Sequence, residues 1–164
     1  MTTMRFMILT SLIFCGAIFG FFYAWVCSTM WGLDQMDPAA AIAAMNAMNA
    51  SVRNAVFFPA FFLTPVVLSI TALVCWRQQH SKAASWIAIA AIIYILGAFV
   101  PTVLVNVPMN QALAKITPAL LQGEAQQIWS DYSVKWQIWN IARTIASGLA
   151  LIALGWGVLT TAQA

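Results

Sequence analysis

A chain of 164 residues that is 63% hydrophobic and only 7% charged, with a formal net charge of +3, does not read as a water-soluble domain. Soluble domains carry about 25% charged residues. The seven Lys and Arg are scattered and form no basic stripe, so nucleic acid is excluded as a partner and a lipid bilayer is implied.

The apolar residues gather into four runs, 6–26, 55–76, 83–105 and 141–160. Each is about 20 residues long, enough to cross ~30 Å of hydrocarbon as a helix rising ~1.5 Å per residue. With no water there to satisfy backbone groups, such isolated spans are helical. The expected fold is an all-α integral membrane protein. It is one domain, 1–164, made of a four-transmembrane-helix bundle with a helical cap on its outer side, built from segments 27–54 and 106–140. Arg5 followed by the first run has the look of a secretory signal. The run is too long for one and no small-x-small cleavage motif follows, so it reads as a retained anchor.

In the first outer segment, Asp37-Pro38 reads as an N-cap followed by proline at the first helical position. The helix it starts is rich in Ala and Met. Asn46, Asn49 and Arg53 fall within an arc of roughly 60° on it, a polar stripe that should face the second outer segment. The connection 77–82 is short and basic. With Arg5 it places both termini in the cytoplasm by the positive-inside rule. In the second outer segment, Pro108 is expected to break the third span, and Thr117-Pro118 to start another helix.

After Pro118 no proline follows, so one helix can run from about Glu124 through the fourth span. Trp129, Tyr132, Trp136, Asn140, Arg143 and Ser147 then lie within an arc of roughly 80°. Three aromatics above an amide and a guanidinium suit a flat amphipathic small molecule arriving from the membrane interface. Arg143 sits where charge is costly unless paired or facing a wet cavity, and Asp34 and Asp37 are its candidate partners. The competing account makes the aromatics an interfacial belt and lets Arg143 snorkel to headgroups.

No metal or cofactor site is expected. His80 is the one histidine, too few for His-rich metal sites or a Ser-His-Asp triad, and no glycine-rich phosphate loop occurs. Outer methionines such as Met45 and Met48 could ligate Cu(I), but they sit where a helix packs. Cys15 and Cys27 lie about 18 Å apart on one helix, beyond disulfide reach, and Cys75 is expected at the opposite face.

Three stretches carry a family resemblance. They are Gly32-Leu33-Asp34 with Asp37-Pro38, Asn46, Asn49 and Phe57-Phe58; Asn106-Val107-Pro108-Met109-Asn110; and Trp129, Tyr132, Trp136 with Trp139-Asn140 and Arg143-Thr144. In this order the chain resembles the small four-span membrane proteins grouped with the anthrone oxygenases. That resemblance implies oxidation of a lipophilic polycycle by O2 without a bound metal or flavin, in a bacterial inner membrane. It implies Arg143 and Asn140 as oxyanion-stabilising residues. Trp129, Tyr132, Trp136, Asn106, Asn110, Asn49, Arg53 and Asp34 would bind substrate. Family members often carry histidine after the Trp-Asn pair, where this chain has Ile141. The alternative is a non-catalytic protein that binds a small lipophile or serves as a partner subunit. The sequence leaves the oligomeric state open.

Overall fold

The computed structural model describes residues 3–116 and 124–161, which fold into five helices. These are α1 (Thr3–Asp34), α2 (Pro38–Ser51), α3 (Phe57–Arg77), α4 (Ser81–Ala114) and α5 (Ala125–Thr161). The expected Thr117-Pro118 helix start lies outside the described residues. Four of the five helices are long and apolar enough to cross a membrane, and no strand occurs among the described residues. The protein is an all-α integral membrane bundle.

Around the bundle, α1 packs on α3, α3 on α4, α4 on α5 and α5 back on α1. The surface shows why a bilayer is required. Ile13 (70% exposed), Leu96 (65%), Leu104 (67%) and Ile152 (66%) point outward, an apolar surface that water would penalise and lipid tails accept. Contact between helices rests on small residues instead. Ala83, Ala90, Ala91 and Ala98 of α4 and Ala150 and Ala153 of α5 are buried, and at Gly97 a Cβ would collide with the Ala146 Cβ. Close backbone approach of this kind adds dispersion where the hydrophobic effect gives helices no net attraction.

Prolines shape the spans without ending them. Pro65 lies inside α3, and it offers no N–H to the carbonyl of Phe61 four residues earlier. Tyr94 of α4 supplies the missing donor, its hydroxyl 2.8 Å from the Phe61 oxygen. Pro101 and Pro108 are handled differently. Each follows a π-helical turn, Ile95–Phe99 and Thr102–Asn106 respectively. A π turn bonds i to i+5, as in Val100 N–H to Ile95 O and Val107 N–H to Thr102 O. The wider turn loosens the helix just before each pyrrolidine ring, where the ring would otherwise crowd the preceding carbonyls. The third span is therefore not broken at Pro108, as expected from the sequence, but runs on to Ala114.

At 37 residues, α5 is ~55 Å long and projects well beyond the hydrocarbon. The projecting part meets α2, forming the cap. Asp37 accepts a 3.1 Å hydrogen bond from Ala40 N–H at the N-cap, with Pro38 in the first turn. The inward face of α2, Ala41, Ile42 and Met45, packs with Met30, Leu33, Leu113, Trp129, Tyr132 and Trp136. A separate core of Cys15, Ile18, Leu68, Cys75, Ile87, Tyr94 and Leu154 fills the other half of the bundle. The candidate site lies between these two apolar clusters.

The contact at Gly97 makes a stability prediction. Gly97→Ala must push α4 and α5 apart, and overpacking of this kind costs about 1–3 kcal/mol. Gly155→Ala meets open space and gains the better helix former, so thermal unfolding in detergent should fall for the first variant and hold or rise for the second.

Candidate functional site

Arg143 is 5% exposed, deep enough that headgroup snorkelling is not how its charge is handled. Its Nε donates to Asn140 Oδ1 at 3.1 Å, and its Nη1 donates to Thr102 Oγ1 at 3.2 Å. The guanidinium carbon lies 4.5 Å from the centroid of Phe22 and 5.0 Å from that of Trp136. These ring faces supply quadrupole attraction, worth about 2 kcal/mol or more when desolvated. No carboxylate pairs with Arg143 among the described residues. The partners suggested by the sequence are occupied elsewhere. Asp37 caps α2, and Asp34 accepts from Trp129 Nε1 at 3.0 Å, Ser133 Oγ at 2.7 Å and Gln137 Nε2 at 2.9 Å. Asp34 thus ties the end of α1 to the projecting part of α5.

The π turns build this site. Thr102 and Asn106 begin and end one of them. A third, Trp25–Thr29 in α1, shifts the carbonyl ladder there, and the Phe22 carbonyl at its edge accepts from Asn140 Nδ2 at 3.3 Å. Trp25 from the same turn packs on Trp136, ring centroids 5.1 Å apart. Single π turns in long helices concentrate at functional sites because they swing a few side chains and backbone groups out of register.

Arg143 faces a cavity of about 270 Å³, near the lower end of small-molecule pockets, which begin at about 300 Å³. Its walls are largely aromatic: Phe22, Trp25, Trp136 and, from α3, Phe57, Phe58, Phe61 and Phe62. Its polar lining is Thr102, Asn106, Asn110, Gln111, Asn49, Arg53 and Arg143. Asn106 is 1% exposed, yet neither its Oδ1 nor its Nδ2 has a partner, and Asn49 Nδ2 is also unpaired. Buried amides left unpaired cost about 1–3 kcal/mol, and native structures hold few of them.

Asn110 is the organising amide. Its Oδ1 accepts from Tyr132 OH at 2.8 Å and from Trp136 Nε1 at 3.0 Å, and its Nδ2 donates to Asn49 Oδ1 at 2.9 Å. One side chain thereby joins α2, α4 and α5 and sets the tilt of the Trp136 ring over Arg143.

The ten sequence-derived candidates separate by position. Arg143, Trp136, Asn106, Asn110, Asn49 and Arg53 line the cavity. Asn140 and Tyr132 stand behind it, holding Arg143 and Asn110 respectively. Trp129 and Asp34 bond each other away from the cavity. Asn49, the middle residue of the Asn46, Asn49, Arg53 stripe, reaches the second outer segment through Asn110, whereas Arg53 is exposed at the rim. Thr102, Phe22, Trp25 and the α3 phenylalanines were not anticipated. Only the last had a visible signal, since 57, 58, 61 and 62 form a stripe at helical spacing.

A family model described as anthrone oxygenase matches residues 48–153, more than half of the chain. The chain belongs to the anthrone oxygenase family. No curated protein and no solved structure matches it. Every polar cavity residue of this anthrone oxygenase-family protein lies inside the matched stretch, whereas Phe22 and Trp25 lie before it. Ile141 is 43% exposed and does not line the cavity. In this chain a histidine at position 141 would face outward, so its replacement by isoleucine removes nothing from the pocket.

The amides should separate in a stability measurement. Asn110→Ala leaves Tyr132 OH and Trp136 Nε1 unpaired in a buried setting, at about 1–3 kcal/mol for each donor. Asn106→Leu abandons no protein partner and should cost under about 1 kcal/mol. Thermal unfolding of the two variants in detergent checks the order.

Proposed function

We propose that this protein binds a flat, lipophilic small molecule in the Arg143 cavity and oxidises it with O2. The observation that carries the reading is a buried guanidinium, held only by neutral acceptors and ring faces, aimed with an unpaired Asn106 into an aromatic-walled cavity. Donors fixed in a desolvated site stabilise developing oxyanion charge far more than water does. An anthrone is the substrate type that the family supports. Loss of one proton from its methylene carbon gives an enolate whose oxygen would face Arg143 and Asn106. The enolate passes an electron to O2, and the radical pair closes a C–O bond to form a peroxide at that carbon. Loss of the remaining C–H proton and cleavage of the O–O bond leave a ketone. One oxygen atom stays in the quinone and the other leaves as water, so the four-electron change at carbon balances the reduction of O2. Phe22, Trp25 and Trp136 would stack the rings and exclude bulk water.

A second reading, a binder of lipophiles without turnover, is favoured by one observation: no His, Asp, Glu, Lys, Cys or Tyr lines the cavity among the described residues. An oxygen electrode separates the two. Uptake that depends on an added anthrone supports oxidation, and saturable binding without uptake supports the binder. Under the first reading Arg143→Ala should lower turnover by about 10²–10³-fold, the usual cost of losing one oxyanion donor, with the helical content unchanged.

The cap side is assigned to the periplasmic face of a bacterial inner membrane, with both termini cytoplasmic, on the strength of Arg5, Arg77 and Lys82. Cys27 is exposed at the cap end and should react with a membrane-impermeant thiol reagent in intact cells. Cys75 is buried and silent from either side, so Ser81→Cys in a Cys27→Ser background makes the reporter for the other face. Its labelling in intact cells would invert the assignment.

A further inference from the structure

We infer that the cavity takes its ligand as an anion formed before binding, so that its substrates are lipophilic acids ionised near neutral pH. This rests on the oxidation proposed above and names the substrate class for that same site.

Charge comes first. Two cationic side chains line the cavity, Arg143 at its buried end and Arg53 at its exposed rim, and no acidic side chain lines it among the described residues. A buried charge needs a counter-charge or full hydrogen bonding, and Thr102 and Asn140 are neutral acceptors engaging Arg143 only through Nη1 and Nε. A ligand anion supplies what the protein withholds. Asn106 and Asn49 offer further N–H groups, through Nδ2 atoms that no protein atom accepts. Guanidinium and amide donors converging on one space match an oxyanion.

Proton chemistry points the same way. All five helices contribute groups around Arg143. From α1 come Phe22 and Trp25, from α2 Asn49, from the turn after it Arg53, from α3 phenylalanines, and from α4 Thr102, Asn106 and Asn110. On α5 the one titratable neighbour, Tyr132, lies behind the cavity wall and donates its hydroxyl to Asn110. None of these can accept a proton from a neutral acid at neutral pH. The site therefore selects the conjugate base and does not generate it. Aromatic walls restrict that choice to anions carried on a flat ring system.

The experiment uses the full chain in lipid nanodiscs, with empty discs as the partition control and tryptophan fluorescence as the readout. The probes are 2-naphthoate and its neutral counterpart 2-naphthamide. Naphthoate should bind at least ten-fold more tightly. Arg143→Met should abolish that preference, and Arg143→Lys should retain part of it. Across naphthols made more acidic by ring halogenation, the pH midpoint of binding should follow each ligand's own ionisation. Equal affinities, a preference that survives Arg143→Met, a midpoint fixed at one pH, or failure of both probes to bind would each overturn the inference. The wild-type probe pair and the pH series need no variant, so they decide the matter even if Arg143→Met fails to fold. Neither naphthoate nor naphthamide is oxidised, so loss of anion preference would leave anthrone-dependent oxygen uptake as a separate result.

Discussion

A guanidinium held inside a membrane bundle without a carboxylate partner sets the conditions for the rest of this structure. Taking such a charge out of water costs several kcal/mol even after relaxation. The protein offsets this in small steps: two neutral acceptors, two ring faces, and a cavity that can hold a ligand or water against the remaining N–H groups. The ring faces come from regular helix, whereas the acceptors sit at or near departures from it. Thr102 reaches Arg143 from a π turn, and Asn140 is itself steadied by a carbonyl at the edge of another. The irregular backbone and the buried charge are two sides of one arrangement.

The same constraint explains why the hydrophobic core is divided. A continuous core through the bundle would have sealed Arg143 among aliphatic side chains. Instead one cluster of small and branched residues grips the end with the short 77–82 turn, and an aromatic- and Met-rich cluster grips the cap. Between them the helices are held apart enough to leave space. Asn110 links α2 and α5 to α4 across that space, while Asp34 fastens the end of α1 to α5. Cap and bundle are therefore coupled through polar bonds, some of them along the cavity wall at Asn49, Asn110 and Trp136. These bonds leave both polar atoms of Asn106 and the Nδ2 of Asn49 without a protein partner.

Periodicity carried much of this in advance. The α5 stripe was legible because 3.6-residue spacing puts Trp129 through Ser147 on one face, and all six of its residues are buried. The cap helix was legible because Asp37-Pro38 is a local signal whose meaning does not depend on distant contacts. Its polar stripe was read less well, since among the described residues only Asn49 of the three bonds to the other outer segment. Tryptophan could not be sorted by position alone. Trp31, Trp76, Trp86, Trp139 and Trp156 are exposed and suit the interfacial belts, whereas Trp129 and Trp136 are buried and hydrogen-bonded. Pro108 was misread because its effect depends on whether the preceding turn can widen to i+5, which no local rule reports. Thr102 was hidden within an apolar span, and nothing in the sequence marks one span hydroxyl as facing a charge on another helix.

The division between α1 and the family-matched stretch carries a further consequence. Residues 48–153 supply the cavity's polar groups, but the rings of Phe22 and Trp25 come from α1 and close it on that side. Phe22 also places a ring face on Arg143 and lends a carbonyl to Asn140. The donors that the proposed reaction would use thus lie in the matched stretch, while part of the wall that its substrate would meet comes from α1. Under the proposed function, a change in the bulk of Trp25 would alter fit while leaving the donors in place. Phe22 is not separable in this way, because its ring face also steadies the Arg143 guanidinium.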